Sequence, residues 1–263
     1  MMVAHIGPAS DAPLRHAFGG AVQRRMWELA RAQVARGHRP IVYSFGPEAA
    51  RRVEEGVDLR FIPCRTRPPL RQLEFQVRAL RDLAATEGSI DVLHFHGQPE
   101  GAVLGRGQAR ATAISIDFFE YRGGRKGLLG PLYRKALQQF DLLLPCSEYC
   151  KAELAAYWDL APARLDVHHN GVRLDQFKAE PDKVAAERQR LGFAGPIFLY
   201  VGRVCEQKGS HVLLATAKLV QKVRPDARLF VAGPVGQFGR TGDEGWTARI
   251  AEAGGTYLGA VAE

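Results

Sequence analysis

Hydrophobic and polar residues alternate in two different patterns along the first two thirds of this chain. Short runs rich in β-branched and aromatic residues predict strands, and longer stretches with apolar residues three or four positions apart predict helices. The predicted strands are Met2–Ile6, 40–45, Val57–Ile62, 92–95, 111–116 and Leu142–Pro145, and the predicted helices are 22–36, 70–85 and 128–139. This alternation predicts an α/β fold with a mostly parallel sheet covered on both faces.

The first predicted helix, 22–36, has a clear amphipathic pattern. Its apolar stripe consists of Val22, Met26, Leu29, Ala30 and Val34. The charged residues outside that stripe are Arg24, Arg25, Glu28 and Arg31. Such a pattern predicts an amphipathic helix with one apolar face.

The pattern pauses near residues 170–181 and then begins again. A strand is predicted at Ile197–Val201, a helix at Ser210–Val223, a strand at Arg228–Ala232, a helix at 247–253 and a strand at 256–258. We therefore expect a domain boundary near residue 178, with domains at 1–177 and 178–263. About three strands are few for a doubly wound domain, and they would leave an open edge and an uncovered face. The second domain is therefore predicted to be incomplete.

The composition of the 263 residues limits the possible partners. Lys and Arg exceed Asp and Glu by 36 to 28, which gives a net charge of +8. This excess favours phosphate groups as partners, but it is spread over the chain without a basic tail or a basic–aromatic segment, so nucleic acid is not expected. No apolar run approaches a membrane span and no secretory signal is evident, which predicts a cytoplasmic protein with a possible peripheral contact at the inner membrane face.

Two glycines and two histidines mark the first domain. Gly19 and Gly20 precede the first long helix, where glycine lets a ligand approach the backbone and free N–H groups attract phosphate. A flexible turn is the alternative, and the GxGxxG fingerprint of dinucleotide-binding proteins is absent. His94 and His96 alternate at the end of a predicted strand, so both imidazoles lie on one side. Because no third ligand is evident from spacing, and His168 and His169 also lack a partner, no metal is expected.

Two cations mark the second domain. Arg203 follows Gly202 at the end of a predicted strand, and Lys208 precedes the next helix. Cations beside a helix N-terminus suit a diphosphate, although a solvated loop is an alternative. The segment GRVCEQKGS has Gln207 where a P-loop has its glycine before lysine, which argues against hydrolysis of a nucleoside triphosphate.

These segments, in this order, resemble the family 4 glycosyltransferases, which have the GT-B fold of two Rossmann-like doubly wound domains. The similar segments are GGAVQRRMWELARAQVARGH, DVLHFHG, FDLLLPCSEYCKAEL, HHNGVRLDQF, LYVGRVCEQKGSHVLLATAKLV, FVAGP and TYLGAVAE. The resemblance implies transfer of a hexosyl group from a nucleotide-diphosphate sugar to a glycan, lipid or small-molecule acceptor, with retention of configuration. The basic surface favours work near anionic lipid or in polysaccharide biosynthesis, although a solvated surface explains the charge equally well. No DxD motif is present, so cations and helix dipoles would balance the leaving diphosphate without a metal cofactor.

The resemblance also implies roles for individual residues. The donor diphosphate would contact Arg203 and Lys208, and Gly19 and Gly20 would present backbone to the donor. The candidate catalytic residue is His96, which corresponds to a histidine near the transferred sugar. The remaining implied contacts are Gly202 and Gly233 on the nucleotide side and Asp117 on the acceptor side, where Ile116 replaces a histidine of many relatives.

One departure from the family affects the expected activity. A later pair of glutamates, which binds sugar and ribose in the family, has no counterpart after TYLGAVAE. Two alternatives to an active transferase therefore stand: a non-catalytic truncated remnant, or one part of a split enzyme that acts through a partner. A Rossmann oxidoreductase is a third possibility, which the missing GxGxxG disfavours.

Overall fold

The computed structural model describes residues 1–9, 20–68, 70–97, 99–105, 107–117, 130–172, 174, 177–236 and 245–261. They belong to two compact units, Met1–Val172 and Arg173–Glu263. The division lies a few residues before the predicted boundary near residue 178. Gly19 and residues 128–129 of the third predicted helix lie outside the described residues.

The first unit contains a sheet of seven strands: β1 (Met2–Ile6), β2 (Arg39–Phe45), β3 (Ala50–Glu54), β4 (Val57–Ile62), β5 (Ile90–His96), β6 (Ala109–Ile116) and β7 (Leu142–Pro145). Its helices are α1 (Ala21–Val34), α2 (Leu70–Thr86), α3 (Glu100–Leu104), α4 (Gly130–Leu137) and α5 (Glu148–Trp158). The strand order is β3-β4-β2-β1-β5-β6-β7, and every pair is parallel except β3 with β4. The predicted parallel α/β sheet is therefore confirmed.

The antiparallel strand β3 was not predicted, because its sequence lacks an alternating apolar pattern. It is an exposed edge strand, and the last residue pair that joins it to β4 before the turn is Glu54 with Val57. The two residues between them, Glu55 and Gly56, have φ values of 48° and 82°. Positive φ at both central positions is the mark of a type I′ hairpin turn, which fixes the pairing locally.

Helix α1 buries a different stripe from the one predicted. The buried residues are Gln23, Met26, Trp27 and Ala30, while Leu29 is only partly buried. Met26, Trp27 and Ala30 pack against Val42 of β2 and neighbouring apolar residues. Arg25 lies outside the predicted stripe, but its side chain is only 9% exposed. The long side chain of Arg25 extends from the margin of the stripe to the buried carboxylate of Asp117. A helical wheel does not represent such a reach.

The second unit contains three parallel strands, β8 (Ile197–Val201), β9 (Arg228–Ala232) and β10 (Thr256–Gly259), in the order β10-β9-β8. Its helices are α6 (Pro181–Leu191), α7 (Ser210–Val223) and α8 (Trp246–Glu252), with a 3₁₀ turn at Glu206–Lys208. Its core contains Leu214, Val231, Trp246 and Ile250, among other residues.

Strand β8 pairs on one side only within the described part of the chain. Its side chains Phe198, Leu199 and Val201 are 47%, 62% and 70% exposed. The second unit therefore presents the apolar open edge that the small number of strands predicted.

No helix within the described ranges is long and apolar enough to cross a membrane.

Candidate functional site

The carboxyl ends of the central strands carry a group of buried polar residues. Strand β1 pairs with β2 on one side and with β5 on the other, so the strand order reverses there. In open parallel sheets, ligands bind outside the carboxyl ends of the strands at such a reversal. The β1–β5 register places His5 beside His94, and the β5–β6 register places His96 beside Ser115. Adjacent residues across a sheet share a face, so these four side chains meet on one face.

The three imidazoles form a tight cluster. The ring centroids of His94 and His96 are 4.3 Å apart and stacked, and those of His5 and His96 are 5.4 Å apart. His5 Nδ1 lies 3.1 Å from His96 Nε2, and His5 Nε2 lies 2.9 Å from Oε1 of Gln33 on α1. His94 Nε2 lies 2.8 Å from Ser115 Oγ. Each ring is thus held by a hydrogen bond to a residue of another helix or strand.

Burial keeps these imidazoles uncharged at neutral pH. It lowers the pKa of His5 to about 4, although the hydrogen bond with Gln33 opposes the shift. Burial also lowers the pKa values of His94 and His96 well below the ordinary value, and the neighbouring histidines and Arg25 lower them further. A low dielectric disfavours the imidazolium form. His96 is therefore a neutral hydrogen-bonding group at neutral pH rather than a cation.

Arg25 joins this cluster to Asp117, the aspartate expected on the acceptor side. The Arg25 guanidinium forms an ion pair with Asp117 Oδ1, and its Nη2 donates a hydrogen bond to Ser115 Oγ at 2.6 Å. Both members of the ion pair are largely buried, with side chains 9% and 13% exposed. Sequence reasoning missed Arg25 because its chain position indicated only that it lies outside the apolar stripe.

Four buried polar atoms in this region have no hydrogen-bond partner among the described residues: Arg25 Nε, His96 Nδ1, Asp117 Oδ2 and His168 Nδ1. Buried polar atoms are nearly always paired, so such a group marks a place where a polar ligand fits. His168 was expected to lack a partner. Burial and the nearby Arg25 lower the pKa of His168, while Asp166 and Asp117 oppose the shift. His168 is therefore close enough to Arg25 and Asp117 to interact with their charges.

His5 is the third histidine that spacing along β5 did not reveal. One nitrogen from each of His5, His94 and His96 lies within 4.8 Å of the others, which is close enough to test for a metal. The rings of His94 and His96 are stacked at an interplanar angle of 26°, an arrangement that disfavours convergence of their in-plane lone pairs on one metal ion. Metal ligation requires such convergence at about 2.0–2.1 Å. The cluster is therefore better suited to hydrogen bonding than to a metal.

The other candidate residues lie in the turn between β8 and α7, residues 202–209. Arg203 follows the strand, and Lys208 is exposed at the end of the 3₁₀ turn just before Gly209, the N-cap residue of α7. Both cations therefore lie in the turn between β8 and α7, and Lys208 directly precedes the N-cap residue of the helix. Glu206 lies between them and reduces the net positive charge of the turn.

Gly202 and Gly233 lie against each other at the ends of β8 and β9. A Cβ on Gly233 would lie 2.1 Å from the Gly202 carbonyl oxygen, and φ of Gly233 is 134°. Their N–H groups donate to the carbonyls of Ala232 and Gly259. Glycine is therefore required at 233 by packing within the unit, and neither N–H remains for a ligand.

Gly20 is the N-cap residue of α1, and its carbonyl accepts a hydrogen bond from the Arg24 N–H at 3.0 Å. A Cβ there would meet only the end of the Gln23 side chain, 2.5 Å away. Its position before the helix is as predicted, whereas its contact with a donor remains a prediction.

Two parallel α/β units, one with polar residues at its strand reversal and one with a cationic βα turn, form a GT-B protein. Residues 18–176 match the family described as Glycosyltransferase Family 4. This is more than half of the chain, and the chain therefore belongs to that family.

Relatives with sequence similarity carry one functional name. The D-inositol 3-phosphate glycosyltransferase of Mycobacterium sp. (strain JLS) is 35% identical over 103 residues, which cover 38% of this chain and 22% of that protein. The corresponding protein of Segniliparus rotundus is 34% identical over 95 residues, which cover 35% of this chain and 21% of that protein. The match thus spans about a fifth of the length of these relatives.

Solved structures are similar over the whole chain. HepE of Anabaena, in complex with UDP and glucose, has a TM-score of 0.68 at 15% identity, with 100% of this chain and 70% of that chain covered. The α,α-trehalose 6-phosphate synthase of Burkholderia multivorans has a TM-score of 0.70 at 14% identity, with 100% and 74% covered. At these identities the similarity shows the fold.

Proposed function

We propose that this chain binds a nucleotide-diphosphate sugar and transfers its hexosyl group to a glycan, lipid or small-molecule acceptor with retention of configuration. The observation that carries the proposal is the cationic β8–α7 turn, in a member of Glycosyltransferase Family 4. The GT-B neighbour HepE, solved with UDP and glucose, supports the same class of donor.

The diphosphate of the donor is the group to be neutralised as the sugar leaves. Arg203 and Lys208 lie in the turn that leads into α7, and the peptide dipoles of this helix also favour negative charge at its N-terminus. Positive groups fixed in advance at the site of developing charge stabilise a transition state without reorganisation. These groups do the work that a metal does in other transferases, and no metal cofactor is part of this proposal.

The first unit supplies polar contacts for the sugar and the acceptor. Neutral His96 acts as a hydrogen-bonding group for the transferred sugar. The unpaired buried atoms Nε of Arg25 and Oδ2 of Asp117 suit hydroxyl groups of the acceptor. The ion pair between Arg25 and Asp117 makes this carboxylate a poor covalent nucleophile. This supports front-face attack, in which the departing diphosphate assists deprotonation of the acceptor.

Isothermal titration of UDP-, GDP- and ADP-glucose tests the donor site. Arg203→Ala and Lys208→Ala are each expected to weaken the bound nucleotide sugar by about tenfold, the effect of losing about 1.4 kcal/mol of charge-assisted bonding. Lys222→Ala is the matched control, because Lys222 lies in the last turn of α7 and should not change the affinity. Absence of binding to all three donors, or equal affinities for the three variants, would exclude the proposed site.

A second candidate is one part of a split transferase that acts through a partner. The exposed apolar side chains of Phe198, Leu199 and Val201 on the open edge of β8 favour it, because such an edge pairs readily with another strand. Light scattering combined with an assay of sugar transfer distinguishes the two. Turnover by the isolated monomer would exclude the split form, and turnover only after addition of a second polypeptide would support it.

A further inference from the structure

A continuous chain of hydrogen bonds runs from α1 to the end of β5. Oε1 of Gln33 can only accept a hydrogen bond, so the His5 Nε2 that lies 2.9 Å away must be the donor. His5 is neutral at neutral pH because burial lowers its pKa to about 4, and its single proton is therefore on Nε2. The Nδ1 atom of His5 is then an acceptor.

The next link fixes the proton of His96. His96 Nε2 lies 3.1 Å from His5 Nδ1, so a hydrogen bond requires the proton to be on His96 Nε2. Burial also lowers the pKa of His96, so that ring carries no second proton. His96 Nδ1 is consequently a bare lone pair, and it is buried without a partner among the described residues.

The ring of His96 is also held in its plane. His94 stacks against it with centroids 4.3 Å apart. His94 itself is bonded to Ser115, which also accepts a hydrogen bond from Arg25. The ionisable groups that the described residues place near these rings include Arg25, Asp117, His168 and Asp166, and the Arg25–Asp117 ion pair offsets the charge of both its members.

A fixed acceptor without a partner has a consequence for binding. An unpaired buried acceptor is energetically unfavourable, and a ligand that donates a hydrogen bond to it removes that penalty. A ligand oxygen without a hydrogen, such as a carboxylate, would meet the lone pair of Nδ1 and be repelled. The site therefore favours a ligand group that donates a hydrogen bond, such as a hydroxyl, over one that only accepts.

We propose that Gln33 and His5 are positioning residues that fix the tautomer of His96, so that His96 Nδ1 accepts a hydrogen bond from a hydroxyl of the bound sugar. The part that concerns the sugar rests on the proposed function. The part that concerns the tautomer rests on the hydrogen-bond distances between Gln33, His5 and His96 and on the burial that keeps both rings neutral.

Long-range ¹H–¹⁵N spectra of the full chain, labelled with ¹⁵N-histidine, test the tautomer directly. The Nδ1 and Nε2 signals of His5 and His96 are assigned from His5→Gln and His96→Gln. Wild-type protein at neutral pH is expected to carry the proton on Nε2 in both rings. A proton on Nδ1 of His96, which the opposite orientation of the Gln33 amide would produce, overturns the proposal without any need for a further variant.

The variant Gln33→Met removes the acceptor while preserving side-chain length. The tautomers of His5 and His96 are then expected to become mixed, whereas Gln138→Met, a change at an exposed position of the same unit, leaves them unchanged. Circular dichroism confirms that both variants are folded. An unchanged Nε2–H tautomer of His96 in folded Gln33→Met would show that Gln33 does not fix it.

Titration separates this proposal from the proposed function. With UDP-glucose and UDP as probes, Gln33→Met is expected to weaken UDP-glucose by about threefold to tenfold and to leave UDP unchanged. If the protein binds GDP-glucose or ADP-glucose instead, the two probes are that sugar nucleotide and the matching nucleoside diphosphate, GDP or ADP. If Gln33→Met loses the same affinity for the sugar nucleotide as for the nucleoside diphosphate, or loses no affinity for either, the proposed role of His96 Nδ1 is wrong. If wild type binds no donor, the proposed function fails and the role of Nδ1 fails with it, while the spectra alone decide the tautomer.

Discussion

At the residue scale, the buried guanidinium of Arg60 shows how a charge is accommodated in the first unit. Arg60 is 3% exposed. It forms ion pairs with Asp58 at 2.9 Å, with Asp82 at 2.9 Å and with Glu87, and it donates to Tyr43 Oη at 3.0 Å. Burial by itself would lower the pKa of Arg60, but the hydrogen bonds with the three carboxylates raise it, while burial and the Asp82 carboxylate raise the pKa of Tyr43. The network links strands β2 and β4 to the end of α2.

Replacing Arg60 with methionine should destabilise the first unit by about 3–5 kcal/mol, because three carboxylates lose their buried cation. Urea unfolding followed by tryptophan fluorescence measures the change. The control is Arg110→Met, since Arg110 is 78% exposed and pairs with Asp91 at 3.4 Å. An exposed pair of this kind contributes at most about 1 kcal/mol. Equal losses for the two variants would contradict the assigned role of Arg60.

Gly233 is the second position where one residue decides local structure. A Cβ at 233 would overlap the carbonyl of Gly202, so Gly233→Ala should lower the stability of the second unit by at least about 2 kcal/mol. Gly209→Asn is the comparison, because a Cβ at 209 meets no atom within 4 Å and asparagine tolerates its φ of 73°. Thermal unfolding of both variants tests this, and a fully stable Gly233→Ala would refute the packing argument.

At the element scale, the carboxyl ends of β1 and β5 make the first unit sensitive to acid. The native pKa of His5 is about 4, and those of His94 and His96 are also far below the value of an unfolded chain, about 6.5. Protons therefore bind the unfolded chain first. The contribution of these neutral histidines to the free energy of unfolding is fully present above pH 6.5 and is lost as the pH falls toward about 4.

The expected loss is at most about 1.4 kcal/mol per pH unit for each of these histidines. Urea unfolding at a series of pH values measures it, in a Trp246→Phe background that leaves Trp27 and Trp158 as reporters of the first unit. His5→Asn should reduce the slope, whereas His211→Gln on an exposed position of α7 should not. A free energy of unfolding that is constant between pH 6.5 and 5 would contradict the burial of neutral imidazoles.

At the scale of the whole molecule, the net charge of +8 is the property that concerns a membrane surface. Cosedimentation with vesicles of phosphatidylglycerol and phosphatidylcholine should show weak binding that salt abolishes, because spread surface charges act over a Debye length of about 8–10 Å. Vesicles of phosphatidylcholine alone are the control and should not bind. Equal binding to both vesicles, or binding that resists salt, would contradict an electrostatic contact.

The sequence alone determined the alternation of strands and helices, the parallel sheet and the family. These follow from local periodicity and from ordered motifs such as DVLHFHG, which need no knowledge of distant contacts. It also determined where Arg203 and Lys208 lie, since both positions are set by the strand before the turn and the helix after it.

Only the tertiary structure decided which polar residues meet at the end of the central strands. His5 and His96 are 91 positions apart, and Arg25 and Asp117 are 92 apart. Such pairs depend on strand order and register, which join parallel strands through long connections and leave no periodic signal in the sequence. The same holds for Gln33, whose place opposite His5 follows from the packing of α1 on the sheet.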